Sequence, residues 1–129
     1  MKIRTYSRAD EAYLFDMLRG EGSEWECYWG ESEIEKYKTA LANSITYLAY
    51  EDDELCGYAR CRDDDGFGVY IYDLLVKKAY RGNSMGRLLM ERVCADFPNH
   101  TVYVMSDVDG YYKKLGYHRE GSIFIVNTK

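Results

Sequence analysis

The residues whose types and spacing most clearly imply chemistry lie in one run, Tyr72–Arg87 (YDLLVKKAYRGNSMGR), where an apolar stretch feeds a basic, glycine-containing turn that opens a helical pattern. The unpaired backbone N–H groups of a helix start, together with the positive end of its dipole, attract anions. Arg81 and Arg87 bracket this turn, and a guanidinium bonds phosphate oxygens two at a time. Gly82 and Gly86 let the backbone come close to a diphosphate. No Gly-Lys-Ser/Thr ends the turn, so it is not a P-loop. It is not G-x-G-x-x-G either, and it falls late in the chain rather than after the first strand.

A second group of residues suits cations. Between Asp10 and Glu35 the acids Asp10, Glu11, Asp16, Glu21, Glu24, Glu26, Glu31, Glu33 and Glu35 face only Arg19, and Trp25, Tyr28 and Trp29 sit among them. Carboxylates and aromatic faces both favour cations. From Lys77 to Arg92 the balance reverses, with Lys77, Lys78, Arg81, Arg87 and Arg92 against Glu91. Both runs also fit solvated helix faces, and Trp25 and Trp29 equally fit a role in pinning their loop to the core. Cys27, Cys56, Cys61 and Cys94 show neither C-x-x-C spacing nor a Cys/His zinc pattern. They read as reduced thiols of a cytoplasmic protein with no metal. No His neighbours Cys61 or Cys94 to activate either as a nucleophile, and His100 and His118 read as surface residues at element ends.

These residues need a scaffold, and the pattern supplies one. The 129 residues suit one domain over residues 1–129, with 47% apolar and 30% charged residues, a globular balance. A net charge of −5 argues against nucleic acid as a general partner. No apolar run approaches a membrane span, and no apolar h-region follows Met1-Lys2-Ile3-Arg4, so neither a membrane nor a secretory signal is expected. A strand over Lys2–Tyr6 precedes a helix capped at Ser7 that buries Leu14, Phe15 and Leu18 and stops near Gly20. After a loop over Glu21–Glu31, Ser32-Glu33-Ile34-Glu35 forms a capping box for a helix burying Ile34, Tyr37 and Leu41. Strands follow at Ile45–Tyr50, Leu55–Cys61 and Gly68–Val76, then a helix at Ser84–Phe97. A strand at Thr101–Met105, a short helix at Asp109–Leu115 and a last strand at Ser122–Val126 complete the order β-α-α-β-β-β-α-β-α-β. The strand–helix–strand step from Gly68 to Met105 implies a parallel crossover, hence a mixed sheet with helices on both faces.

Two motifs within this order resemble those of the GNAT superfamily of N-acetyltransferases, in particular its small bacterial members. Arg81-Gly82-Asn83-Ser84-Met85-Gly86 resembles the family's acetyl-CoA-binding Arg/Gln-x-x-Gly-x-Gly/Ala, and Tyr111-Tyr112-Lys113-Lys114-Leu115-Gly116-Tyr117 resembles its F-Y-x-K-L-G-F. The resemblance covers nearly the whole chain. It implies an α/β (α+β) fold with a mixed, mostly antiparallel sheet of about six strands, splayed between the fourth and fifth and flanked by about four helices. It also implies that acetyl-CoA is the co-substrate, its pantetheine arm pairing with backbone groups of Leu74, Leu75 and Val76. The pyrophosphate would then rest on the amides of Arg81, Gly82, Asn83, Ser84, Met85, Gly86 and Arg87. Tyr112 matches the tyrosine that protonates the departing thiolate. Three positions depart from the family pattern: Ser84 stands for a usual glycine, Met105 for an asparagine common in relatives, and Tyr70 for the general-base glutamate of the histone-type enzymes. A serine at position 84 is expected to cap the helix and to offer its hydroxyl to phosphate.

Asp73 is the only acid in its strand and a candidate to take the amine's proton, directly or through a water; a bulge would decide which face it occupies. Glu24 and Glu26 are substitutes for that role, and the amide of Leu75 or Val76 is the candidate oxyanion donor. Trp25, Tyr28 and Trp29 are the candidate acceptor wall, for a small cationic amine or a peptide or protein lysine. The expected activity is direct acetyl transfer from acetyl-CoA to a primary amine in a ternary complex; the alternative is a non-catalytic acyl-CoA-binding or sensing module. A homodimer, by strand addition or side-by-side packing, is compatible with such a fold.

Overall fold

The computed structural model describes residues 1–127. The elements run β1 (Lys2–Thr5), α1 (Glu11–Gly20), α2 (Glu26–Trp29), α3 (Ile34–Ala42), β2 (Ile45–Glu51), β3 (Glu54–Asp63), β4 (Val69–Val76), α4 (Met85–Asp96), β5 (Val102–Val104) and α5 (Asp109–Lys114). The sheet keeps chain order, β1-β2-β3-β4-β5. Its first four strands are antiparallel and β5 joins β4 in parallel, as the intervening helix requires.

Each face of the sheet carries its own core. On one side α4 lays Met85, Leu89, Met90 and Val93 over Tyr47, Ala49, Ala59, Cys61, Val69 and Ile71. On the other, Leu14, Phe15 and Leu18 of α1 and Tyr37 and Leu41 of α3 meet Leu48, Leu55, Tyr58 and Leu75. Leu14, Phe15, Leu18, Tyr37, Leu41, Met85, Leu89 and Val93 are positions that helical spacing marks in the sequence, and Met90 joins them.

Within β4 the faces exchange. Arg60 pairs with Asp73 while Cys61 pairs with Ile71, which leaves Tyr72 as an extra residue. Before this bulge, Val69 and Ile71 point into the α4 core; after it, Leu75 points into the α1–α3 core. Leu74 and Val76 turn to the α4 side. Asp73 thereby shares a face with Arg60, its cross-strand neighbour.

Four expectations are corrected. Ser122–Val126 forms no strand and pairs with no edge, so the sheet has five strands among the described residues; β propensity is fit to a half-buried pleat, and without an adjoining edge it specifies nothing. The segment Glu21–Glu31 is not an open loop, since a 3-10 turn over Gly22–Trp25 leads into α2. The Trp29 indole closes that turn by donating to the Gly22 carbonyl at 3.1 Å. Ser32 does not cap α3, because the Gly30 carbonyl accepts the amides of Glu33 and Ile34 and carries the chain into the helix. The strand expected at Thr101–Met105 is shorter, Val102–Val104.

The first strand and first helix are tied by Asp10, which is 4% exposed. Its carboxylate accepts two Arg4 hydrogen bonds at 2.6 and 2.9 Å and the Ser7 amide at 2.9 Å. Chiefly through the Arg4 bond, its pKa falls from 3.8 to about 2. A carboxyl depressed in the folded state stabilises the fold above its unfolded pKa, and that contribution is lost as pH falls through the folded value. Asp10→Asn is expected to cost about 2 kcal/mol at neutral pH. In urea titrations between about pH 4 and pH 2 the variant should lack the loss of stability that the wild type shows.

Candidate active site

The basic turn and the start of α4 form a cradle of free donors. Arg81 donates its amide to Lys78 and Leu88 donates to the Ser84 carbonyl, but among the described residues no backbone acceptor takes the amides from residue 82 to residue 87. Six consecutive N–H groups at the start of a 12-residue helix make a site for an anion of diphosphate size. Ser84 bends the chain into it at φ 62°, ψ 15°, the left-handed region, and its hydroxyl makes no cap hydrogen bond. The expected serine cap is therefore absent, because a left-handed residue aims its side chain away from the helix amides. The side chain of Arg81 is held by the Val76 carbonyl at 2.9 Å and by Glu21 at 2.7 Å, and Arg87 pairs with Glu91.

Beside the cradle, β4 and β5 part company. Their pairing covers only Val69–Ile71 against Val102–Val104, with a last bond from the Met105 amide to the Ile71 carbonyl. Leu74, Leu75 and Val76 run on without a β5 partner while still paired to β3. Gly57 permits this stretch to lie close to α4, since a Cβ there would stand 2.8 Å from the Leu75 carbonyl oxygen and 3.4 Å from the Met85 sulfur. The far wall is α5. The Tyr111 hydroxyl occupies the place of a Gly86 Cβ, at 2.5 Å, so α5 docks on the first turn of α4. Tyr112, its ring 5.0 Å from that of Tyr111, is half-buried against the α4 core. Burial above all, helped by Tyr111 and Asp107, pushes its phenol up to about 12.

Across the sheet, Asp73 centres a buried polar cluster. Only 4% exposed, it accepts from Arg60 Nε at 2.5 Å and Tyr37 at 2.6 Å on one oxygen, and from Tyr28 at 2.9 Å on the other. The Tyr37 and Tyr58 hydroxyls meet at 2.8 Å, and Arg60 also donates to Ser44 at 3.0 Å. Burial above all raises all three phenols, helped at Tyr28 and Tyr37 by the charge of Asp73, and they stay neutral donors. Trp25 packs edge-on to Tyr58 with centroids 6.4 Å apart and lies 5.5 Å from Tyr28.

The sequence profile of the acetyltransferase (GNAT) family matches residues 12–117. The chain belongs to this family. Curated relatives include an uncharacterized N-acetyltransferase, ycf52, of Pyropia yezoensis, 28% identical over 102 residues that cover 71% of this chain and 59% of that protein. The histone acetyltransferase TAP1 of Glycine max is 28% identical over 71% of this chain and 47% of its own length. This GNAT chain thus spans about half to three-fifths of the length of the curated relatives it matches. Among solved structures, a GNAT-family acetyltransferase from Streptococcus pneumoniae TIGR4 superposes with a TM-score of 0.73 at 23% identity, covering 98% of both chains. AAC(6')-Iy in complex with the bisubstrate analog CoA-S-monomethyl-acetylneamine gives a TM-score of 0.74 at 12% identity, covering 99% of this chain and 97% of that one.

In this GNAT chain the structure gathers Leu74–Val76, the turn from Arg81 to Arg87 and the helix bearing Tyr112 near the point where the β4–β5 pairing ends. Asp73 and Tyr28 meet on the opposite face, while Trp25 and Trp29 are half-buried against the α1–α3 core. Arg60, Tyr37, Tyr58, Tyr111 and the Glu21–Arg81 pair escape sequence reasoning. For Arg60 a signal exists, as a lone base in an apolar strand calls for a partner acid. The phenols, three among fourteen tyrosines, carry none. Cys61 is buried and its thiol pushed up to about 12 by that burial, which removes it as a nucleophile at neutral pH.

Three substitutions test this geometry. Ser84→Gly relieves a left-handed residue and should raise stability by about 1 kcal/mol. Gly57→Ala drives a Cβ into the β4 backbone and should cost about 2 kcal/mol or more. Asp73→Asn strands the Arg60 guanidinium in the interior at a cost of about 3 kcal/mol. Chemical denaturation of each variant at pH 7 measures all three.

Proposed function

We propose that this chain is an N-acetyltransferase, with residues 1–129 acting as a single domain, that carries the acetyl group of acetyl-CoA to a primary amine directly in a ternary complex. The observation that carries this reading is the run of six free amides beside a strand end without its sheet neighbour. The amides of residues 82 to 87, with Arg81 and Arg87, take the pyrophosphate, and the open edge of Leu74–Val76 takes the amide-bearing pantetheine arm as an added strand. The bisubstrate analog bound by AAC(6')-Iy, a protein of the same fold, supports a CoA thioester as donor.

In the transfer the amine nitrogen attacks the thioester carbon, a C–N bond forms, and the C–S bond breaks. The amide of Leu75 or Val76 stabilises the oxyanion, and alignment along the strand edge converts binding into rate. Tyr112 donates its proton to the departing thiolate; its raised pKa keeps that proton available throughout the neutral range. The amine's proton passes to the Tyr28 hydroxyl as Tyr28 hands its own to Asp73, the buried carboxylate it already bonds. The acceptor is a cationic amine, either a small molecule or a peptide or protein lysine. Glu24, Glu26 and Glu31 stand exposed around the Trp25–Trp29 segment and favour a positive charge.

Isothermal titration should show acetyl-CoA binding that weakens about tenfold in Arg81→Ala and further with added salt. Thiol release across a panel of amines should favour cationic over neutral acceptors. Tyr112→Phe should lower kcat roughly 100-fold while leaving acetyl-CoA affinity nearly unchanged. Tight acetyl-CoA binding with no thiol release from any amine would instead identify an acyl-CoA-binding module.

A further inference from the structure

The side chain of Arg81 does not lie on the amides that follow it. Its backbone opens the turn whose N–H groups from residue 82 to residue 87 are free, yet its guanidinium reaches back to the end of β4. Nε donates to the Val76 carbonyl at 2.9 Å, and a terminal nitrogen lies 2.7 Å from the carboxylate of Glu21, the residue that ends α1. The Val76 carbonyl belongs to the open strand edge, because Lys77 donates its amide to Cys56 of β3 and successive residues alternate sides. One guanidinium thus ties the end of α1 to the edge that the pantetheine arm would use.

Glu21 differs from the acids around it. Glu24, Glu26 and Glu31 are exposed. The Glu21 side chain is 15% exposed, and among the described residues Arg81 is its sole partner. An exposed carboxylate loses little when its counter-charge leaves, whereas a part-buried one is left without water or partner. Phosphate oxygens accept from a guanidinium in the same paired geometry as a carboxylate. A diphosphate on the neighbouring amides therefore competes with Glu21 for Arg81, and a Glu21 that loses it needs another cation. Glu21 also opens the Gly22–Trp25 turn, which the Trp29 indole closes and which leads to Tyr28 on Asp73. The nitrogen that attacks a thioester must be neutral, since an ammonium has no lone pair to give, so the cation on Glu21 is a different group.

We propose that Glu21 selects the acceptor: as Arg81 moves to the diphosphate, the Glu21 carboxylate binds a second ammonium group of the amine substrate, which makes diamines and polyamines the preferred class. This inference rests on the acetyl-CoA reading of the site. One exchanged ion pair makes cofactor and acceptor binding cooperative, and linkage requires each to tighten the other by the same factor.

Calorimetry with CoA, which cannot be turned over, and thiol release from acetyl-CoA test this on the full chain. Glu21→Gln should bind CoA about fivefold more tightly, since nothing restrains Arg81. Asp16→Asn removes the same charge from a surface pair on α1 and should change CoA affinity less than about twofold. In the wild type putrescine should have a KM about tenfold below that of butylamine, its monoamine of equal chain length. Glu21→Gln should erase that preference by raising the putrescine KM while kcat changes little. Saturating putrescine should tighten CoA binding in the wild type and not in Glu21→Gln. Three results overturn the proposal while acetyl transfer stands: CoA affinity unchanged or weakened in Glu21→Gln, no diamine preference in the wild type, or a preference that survives the substitution. A wild type that binds no CoA overturns the acetyl-CoA reading, and this inference with it.

Discussion

A single extra residue in β4 decides which chemistry reaches each side of the sheet. Uninterrupted alternation would carry the face of Val69 and Ile71 onward to Asp73 and place that carboxylate in the apolar α4 core, where nothing bonds it. The bulge at Tyr72 turns it toward Arg60, Tyr37 and Tyr28 instead. The same half-turn sends Leu74 and Val76 to the α4 side, and beyond it β4 has no β5 partner. A bulge bends its strand and sharpens the local twist, which accounts for β4 and β5 separating just past Ile71. The polar cluster on one face and the gap at the strand edge thus share one backbone irregularity.

What holds that irregularity is electrostatic and hydrogen-bonded. The buried carboxyl group of Asp73 finds its hydrogen-bond partners in a guanidinium and two phenols. Each donor comes from a different element: Arg60 from β3, Tyr37 from α3 and Tyr28 from α2. The cluster therefore locks α2 and α3 onto the end of β4. On the opposite face the lock is steric, through Gly57 and Gly86, where missing side chains let β4, α4 and α5 approach. One site is assembled by satisfied polar groups and the other by absent atoms.

Periodicity reveals most of the fold, because helices and strands bury one stripe or one face and write that stripe into the chain: Leu14, Phe15 and Leu18, or Met85, Leu89 and Val93. The turn from Arg81 to Arg87 is legible for a different reason, since charge and glycine there answer to a local backbone need. The Asp73 cluster is not legible, because its donors lie far apart in sequence and tyrosine is as ordinary in a core as in a site. The position of the bulge is not legible either; Tyr72 is chemically like its neighbour Tyr70, and only pairing with β3 exposes the extra residue. The expected strand at Ser122–Val126 shows the converse, an apolar run of β-favouring residues that pairs with no strand among the described residues.

Both tryptophans of the chain, Trp25 and Trp29, fall on the short segment whose Tyr28 covers Asp73. Tyrosine excited elsewhere in the protein passes its energy to indole, so the ultraviolet emission of the whole molecule reports on those few residues. The fold thereby carries its own optical probe on the segment packed over Asp73, and no label need be attached to follow it.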